Sequence, residues 1–354
     1  MAKVGIGLDI GTSSVKIAEL QGGKTVSLER FGIVPLEDGA LAAGIVKDRA
    51  AVAGAIREVL AQSKIKHRKV VVAIASQAVI VRFFKLLKMA DVSKEQLANA
   101  VRFEAENYIP FPIDEVTMDF QVVHTDPREG DVEVMLVCAQ NEIIHSHLET
   151  LKEIGLQPLA MDIQPFAMMR AVGLEGDQPQ SVALLDIGAG TSDLMIVKNQ
   201  IPTFTRIIQL AGNRLTQSIG KNLGVNYDEA EKLKLTLSEA LYDFTNNNPD
   251  SIGYKVNFAM QEGLKELVLE LKRSFDYYQL QQRTEEVSRL LVSGGGSQIN
   301  GMIPYLQNEL GIDVQLAVPT SDIRYHEAIH AEFAADVAKM TVAVGLGLRE
   351  VVNG

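Results

Sequence analysis

The chain has a single cysteine, Cys138, so no internal disulfide can form. It lies in the largely apolar stretch "EVMLVCAQ", which makes its thiol a reduced, packed core group. Metal-ligand spacing is missing as well. There are six histidines, and His145 and His147 are two apart, a spacing that sends them to different sides of a helix. No apolar run reaches the roughly 18–20 residues that cross a bilayer. The longest candidate, 70–81, contains Ser76 and Gln77 and reads as strand. The start of the chain does not show the basic region, apolar run and cleavage site of a signal peptide. A cytoplasmic protein is expected. Basic residues are in deficit, with 34 Lys and Arg against 45 Asp and Glu for a net charge of −11. That balance argues against a broad nucleic-acid or anionic-lipid footprint.

The 354 residues are enough for two or three domains, and 47% hydrophobic with 22% charged residues is ordinary for a globular chain. "KVGIGLDI", "SVKIAEL" and "KTVSLERFGIV" read as consecutive strands, residues 47–64 as a helix, and 69–76 as a buried strand. A strand "VIVRFFKLLKM" precedes a helix over 93–109, which Ser93 caps and Pro110 ends. "EVTMDFQVVHT" and "DVEVMLVCAQ" flank the turn "DPREG", and a helix follows that stops at Gly155. Residues from about 80 to 158 thus form a small α+β block. "GDQPQ" (176–180) reads as a linker. Beyond it the order strand, glycine turn, strand returns.

"LDIGTSSVK" starts at Leu8, and its echo "LDIGAGTSD" starts at Leu185. Such self-similarity predicts two related halves. In each, a Gly turn lets backbone N–H groups approach an anion. Gly11, Thr12, Ser13, Ser14 and Lys16 form one candidate phosphate cradle, and Gly188, Gly190 and Thr191 the other. Asp9 and Asp186 repel bare phosphate; their expected use is to hold a hydrated Mg²⁺. Taken singly, each turn is also an ordinary Gly–Asp hairpin. Two in matched context point to nucleotide phosphate. "SGGGSQING" adds Gly294, Gly295, Gly296 and Gln298, a surface without large side chains for a base or ribose. Glu231 and Lys234 share one face of a helix, as a surface ion pair or as ribose and adenine contacts. Gly212 and Asn213, at a helix start, are further candidates to face the ligand.

These three glycine motifs, in this order, resemble the phosphate 1, phosphate 2 and adenosine motifs of the actin, Hsp70 and sugar-kinase superfamily. The resemblance covers nearly the whole chain. It implies an α/β, actin-like (ribonuclease H-like) two-domain fold that binds ATP or ADP with Mg²⁺. It also implies two helices crossing at a hinge, here 163–173 and 340–348, whose Ala167, Ala171, Ala343, Gly345 and Gly347 permit close approach. The block near 80–158 falls where FtsA-like proteins carry an inserted subdomain. Within it, "VRFEAENYIPFPIDE" resembles the signature of the PilM family of type IV pilus assembly. FtsA-like chains add a basic amphipathic tail, and "REVVNG" offers no such helix, which favours the PilM family.

The implied boundaries are 1–80, 159–178 and 336–354 for the first domain, 81–158 for the inserted FtsA-type α+β subdomain, and 179–335 for the second domain, with its helical part about 213–285. The resemblance implies a scaffold that grips the cytoplasmic N-terminal peptide of PilN in a groove between the first domain and the insert. Phe83, Phe84, Leu86, Leu97 and Val101 are the expected groove residues. Recruitment to the inner membrane would run through partners, among them other pilus-platform and motor ATPase proteins, with room for self-association. In such folds the water-orienting group starts the first hinge helix, here Gln164. A Gln orients water without taking its proton, so tight ATP binding with slow turnover is expected. An FtsA-like filament protein is the alternative, and a sugar-kinase-type phosphotransferase lacks an evident carboxylate base.

Overall fold

A computed structural model of the chain describes residues 3–74, 79–174, 181–282, 286–320, 322–326 and 329–353. The linker expected at 176–180 lies outside them. The chain begins with a three-strand meander, β1 (Val4–Ile10), β2 (Ser14–Gln21) and β3 (Val26–Pro35). A two-residue-per-strand hairpin follows, β4 (Leu41–Ala42) and β5 (Ile45–Val46). Helix α1 (Arg49–Gln62) starts at Asp48, whose carboxylate accepts the N–H of Ala51. Strand β6 (Lys69–Ile74) then pairs parallel with β1.

The inserted block is β7 (Val79–Leu86), α2 (Lys94–Ala105), β8 (Val116–Thr125) and β9 (Val132–Gln140), its strands ordered β7-β9-β8. Ser93 and Gln96 form the capping box that starts α2. The helix ends at Ala105 rather than running to Pro110, because the N–H groups of Tyr108 and Ile109 both turn back onto the Ala105 carbonyl. One sheet face packs Phe84, Val134, Leu136 and Cys138 on Val101, Ala105 and Ile109. Burial pushes the Cys138 thiol pKa up, which keeps it protonated and inert. Helix α3 (Asn141–Glu153) touches both sides: Leu151 joins the core under α1, and Ile144 packs near Val81 and Met135 of the insert.

Strand β10 (Gln157–Ile163) leads into α4 (Gln164–Val172). The second half repeats the meander with β11 (Ser181–Ile187), β12 (Ser192–Lys198) and β13 (Ile201–Ile208). Three helices follow, α5 (Gly212–Leu223), α6 (Tyr227–Leu237) and the long α7 (Ile252–Gln282). Strand β14 (Val287–Ser293), a 3-10 turn over Gly295–Gln298, α8 (Met302–Leu310) and β15 (Asp313–Leu316) finish this domain. The chain returns to the first sheet as β16 (Ile323–Tyr325) and ends in α9 (His330–Asn353). Among the described residues no helix is long and apolar enough to cross a membrane.

The two large sheets run β10-β6-β1-β2-β3-β16 and β13-β12-β11-β14-β15. Apart from the added β16 they have the same order and the same sense. In each, the meander is antiparallel and the next two strands join parallel beside its first strand. The sequence echo is therefore a structural repeat. It puts Asp9 opposite Lys16 and Asp186 opposite Asp193 at the ends of equivalent hairpins.

Helices α4 and α9 cross between the sheets. A Cβ on Gly345 would sit 1.8 Å from the Ala167 carbonyl oxygen, so this crossing needs glycine. Ala343 and Gly347 do a different job: their backbones touch Gly7 and Gly5 of β1, seating α9 on the first sheet.

Candidate functional site

The two hairpin tips meet across the gap between the domains. Gly190 is so close to Thr12 that an added Cβ would lie 2.8 Å from its Oγ1. Each turn closes the same way, with Gly11 N–H donating to Ser14 O at 3.0 Å and Gly188 N–H to Thr191 O at 2.9 Å. Among the described residues no acceptor takes the N–H groups of Thr12, Ser13, Ala189 or Gly190. These donors are available to phosphate oxygens.

Around them lies a cleft of ≈ 350 Å³. Nearly every residue expected from the glycine motifs lines it: Gly11, Thr12, Ser13, Ser14 and Lys16 from the first hairpin, Gly188, Gly190 and Thr191 from the second, and Asp9 and Asp186 behind them. Gln164, Gly212, Glu231, Lys234, Gly294, Gly295, Gly296 and Gln298 complete the set. Asn213 does not join it. Its side chain accepts from Tyr227 Oη at 2.9 Å, and its N–H donates to Ala189 O at 2.8 Å. Gly212 N–H donates to Gly188 O at 3.0 Å. The expectation that Asn213 faces the cleft is corrected: the first amides of α5 brace the second hairpin, while Gly212 still lines the cleft.

Lys16 Nζ lies 3.0 Å from Asp9 Oδ2, and Gln164 Nε2 donates to Asp9 Oδ1 at 3.2 Å. Asp186 Oδ1 accepts from Ser293 Oγ at 2.5 Å. Burial, reinforced by the charge of Asp9, raises the Asp186 pKa, against the opposing pull of Ser293 and Lys16. A buried carboxylate held in that state is relieved by a cation. Among the described residues no cluster of three or more His, Cys, Asp or Glu could hold a metal unaided. Two carboxylates beside a phosphate cradle fit a hydrated Mg²⁺ that takes its remaining ligands from phosphate and water.

At the far end of the cleft the buried Lys234 donates to Gly212 O, Thr216 Oγ1 and Glu231 Oε2 at 3.2, 2.7 and 2.6 Å. Thr216 also donates to Glu231. Glu231 and Lys234 are thus a fixed pair on the cleft wall rather than a mobile surface ion pair. Gly294 and Gly296 are wedged against Ile187, whereas a Cβ on Gly295 would meet no described atom within 4 Å. Asp193, Leu235, Ser238, Ile299, Lys339 and Val342 also line the cleft and were not expected. Asp193 had a legible signal, since it occupies in the second hairpin the position of Lys16 in the first. Lys339 and Val342 had none, because only the return of α9 brings them there.

A second cleft, of ≈ 880 Å³, lies between the insert and the first domain. Residues 119–123 of the sheet-edge strand β8 form one wall, and the β12–β13 turn closes one end. Met135, Val137, Met161 and Phe166 give it an apolar floor. The groove expectation needs correction here. Phe84, Leu86 and Val101 are buried in the insert core with Leu97 packed on them, on the opposite face of the sheet from this cleft. Phe83 points to the other face and packs with Met135 and Ile163, whose side chains line it. Strand alternation separates Phe83 from Phe84, and the sequence alone did not say which side was covered.

Two repeated five-strand units, opposed phosphate-type hairpins and a helix crossing between them define an actin-like fold. In keeping with this, the structure of MreB5 of Spiroplasma citri bound to AMPPNP matches with a TM-score of 0.54 at 15% identity, over 98% of this chain and 95% of that one. The chain belongs to the PilM family: the family described as type IV pilus assembly protein PilM matches residues 7–351. A solved PilM–PilN type IV pilus biogenesis complex is similar with a TM-score of 0.87 and 29% identity, over 98% of both chains. The cell division protein FtsA of Streptococcus pneumoniae serotype 2 is 26% identical over 390 residues, spanning 100% of this chain and 84% of FtsA.

Proposed function

We propose that the chain is an ATP-binding scaffold of the type IV pilus inner-membrane platform. It holds ATP or ADP with Mg²⁺ between the two hairpins and grips the cytoplasmic N-terminal peptide of a PilN-type protein in the second cleft. The observation that carries the nucleotide reading is the approach of Gly190 to Thr12, which brings two sets of N–H donors onto one small cleft. Thr12, Ser13, Ser14, Lys16, Gly188, Gly190 and Thr191 would bind the phosphates. Asp9 and Asp186 would hold Mg²⁺ through its waters, and the ion would supply charge neutralisation. The adenosine would lie along Gly294, Gly295, Gly296 and Gln298, with Glu231 and Lys234 on the facing wall. Gln164, next to Asp9, would orient water without removing its proton, so turnover is slow.

For the peptide, the support is the similarity to a PilM–PilN complex together with the second cleft. An extended peptide can pair with the free edge of β8 and drop apolar side chains onto Met135, Met161 and Phe166. Unbranched Met side chains adapt to such a guest. The chain would then be cytoplasmic and reach the inner membrane through PilN. Fluorescent-ATP titration tests the nucleotide half: binding that needs Mg²⁺ and weakens at least about tenfold in Gly190→Val supports it. Binding unaffected by that change refutes it.

A further inference from the structure

The two clefts share two helices, and each helix contributes residues to both. At its start α4 supplies Gln164 to the phosphate cleft, and Phe166, Met169 and Arg170 of the same helix line the second cleft. Helix α9 is arranged likewise, with Lys339 and Val342 in the first and Arg349 and Glu350 in the second. Where the helices cross, Gly345 and the Ala167 carbonyl touch without room for a methyl group. A crossing packed that tightly has no slack, so the pair moves together.

Arg170 fastens the crossing. Its Nη1 donates to Gly345 O at 2.8 Å and its Nη2 to Asp162 Oδ2 at 3.0 Å. Arg349 of α9 reaches the same oxygen at 3.0 Å. Asp162, at the end of β10, is buried. One carboxylate thus joins a strand and both helices at the wall of the second cleft. Neighbouring residues of α4 also sit in different cores. Ala167 packs with Val71, Ala73, Val342 and Leu346 of the first domain and α9, whereas Met168 packs with Val182, Leu184 and Met195 of the second. Helix α4 therefore packs on both domains at once.

We propose that Arg170 is a positioning residue that couples the two clefts. A peptide in the second cleft fixes the Asp162–Arg170–Arg349 cluster, which orients the α4–α9 pair as a unit and, through it, Gln164 beside Asp9. This rests on the reading of the second cleft as the peptide site. The coupling is reciprocal: nucleotide changes peptide affinity by the same factor as peptide changes nucleotide affinity.

The test is calorimetric titration of Mg²⁺–AMPPNP into the full chain, with and without a saturating synthetic peptide of a PilN-type N-terminus. In the wild type the peptide should shift nucleotide affinity by about 5- to 150-fold, the usual span of coupling between sites. In Arg170→Met, at peptide concentrations that saturate that variant, the ratio should fall below about twofold. Arg170→Lys, which keeps the charge and loses the planar fork, should fall between. Gly345→Ala, which wedges the crossing apart, should abolish the ratio by a separate route. A wild-type ratio near one overturns the coupling, and an unchanged ratio in Arg170→Met overturns the role of Arg170. Peptide that binds without shifting nucleotide affinity sinks this inference and leaves the peptide site standing. Peptide that does not bind the wild type at all sinks both.

Discussion

Replacing each of the three consecutive glycines 294, 295 and 296 by alanine should give unlike results. Gly294 has φ 83° and ψ 169°, a region nearly closed to other residues, and its Cβ would lie 2.4 Å from Ile187 O. The backbone alone costs about 1–3 kcal/mol. Gly296 would put a methyl 2.2 Å from Ile187 Cγ2 in a buried place, an overpacking cost of about 1–3 kcal/mol. Gly295 has no described atom within 4 Å of its Cβ position, so alanine there should change stability by under about 0.5 kcal/mol. At about 1.3 °C per kcal/mol for a chain of this length, Gly294→Ala and Gly296→Ala should each lower Tm by about 1–4 °C, and Gly295→Ala should leave it in place. Gly295→Phe should fold with a near-wild-type Tm and lose nucleotide affinity by more than about tenfold, because its ring fills the space proposed for the base or ribose. Thermal melts and fluorescent-nucleotide titration read both effects. A Gly295→Ala variant as unstable as Gly294→Ala would refute the packing argument. Full nucleotide affinity in Gly295→Phe would refute the adenosine assignment.

Asp186→Asn should weaken Mg²⁺–nucleotide binding at least about tenfold, yet raise the Tm of the ligand-free protein at pH 7. Burial raises the Asp186 pKa, so its neutral form is favoured in the fold and the carboxylate's cost grows as pH climbs above the ordinary aspartate range. The Tm gain should therefore vanish in acid; a gain independent of pH would contradict it. His147 is fully buried, its Nε2 has no hydrogen-bond partner among the described residues, and burial lowers its pKa below the usual 6.5. The fold holds it neutral, so this stability is present above pH 6.5 and is lost as pH falls through the depressed value. His147→Leu should flatten the fall of Tm between about pH 7 and pH 5; an unchanged slope would show that other groups set it.

The hairpins and the three glycines were legible because phosphate chemistry leaves a local mark: Asp, Gly and hydroxyls packed into nine residues, written twice. The helix crossing was implied by the family resemblance and not by its small residues alone, and Ala343 and Gly347 seat α9 on β1 rather than on α4. Strands β10 and β13 were missed. Both are sheet-edge strands interrupted by proline, Pro158 and Pro202, and β13 is broken by Thr203, Thr205 and Arg206, so neither reads as an apolar run. Asn213 was misplaced because a helix start is a generic anion site, and only the fold shows that hairpin carbonyls already occupy its N–H groups. The expected groove residues Phe84, Leu86, Leu97 and Val101 pack in the core of the insert instead of lining the second cleft, for a related reason. Alternation separates Phe83 from Phe84, but which face meets the first domain depends on distant contacts with Ile163 and Phe166.

Peptide capture by the second cleft is tested by one calorimetric titration: a synthetic PilN-type N-terminal peptide into the purified chain, alongside a Phe166→Asp variant. Phe166 lines the second cleft, so a charge there should spoil the apolar floor. The expected result is one peptide per chain, a Kd of about 10 μM or tighter, and a loss of at least about tenfold in the variant. No binding by the wild type at about 100 μM, or equal binding by both proteins, would contradict it.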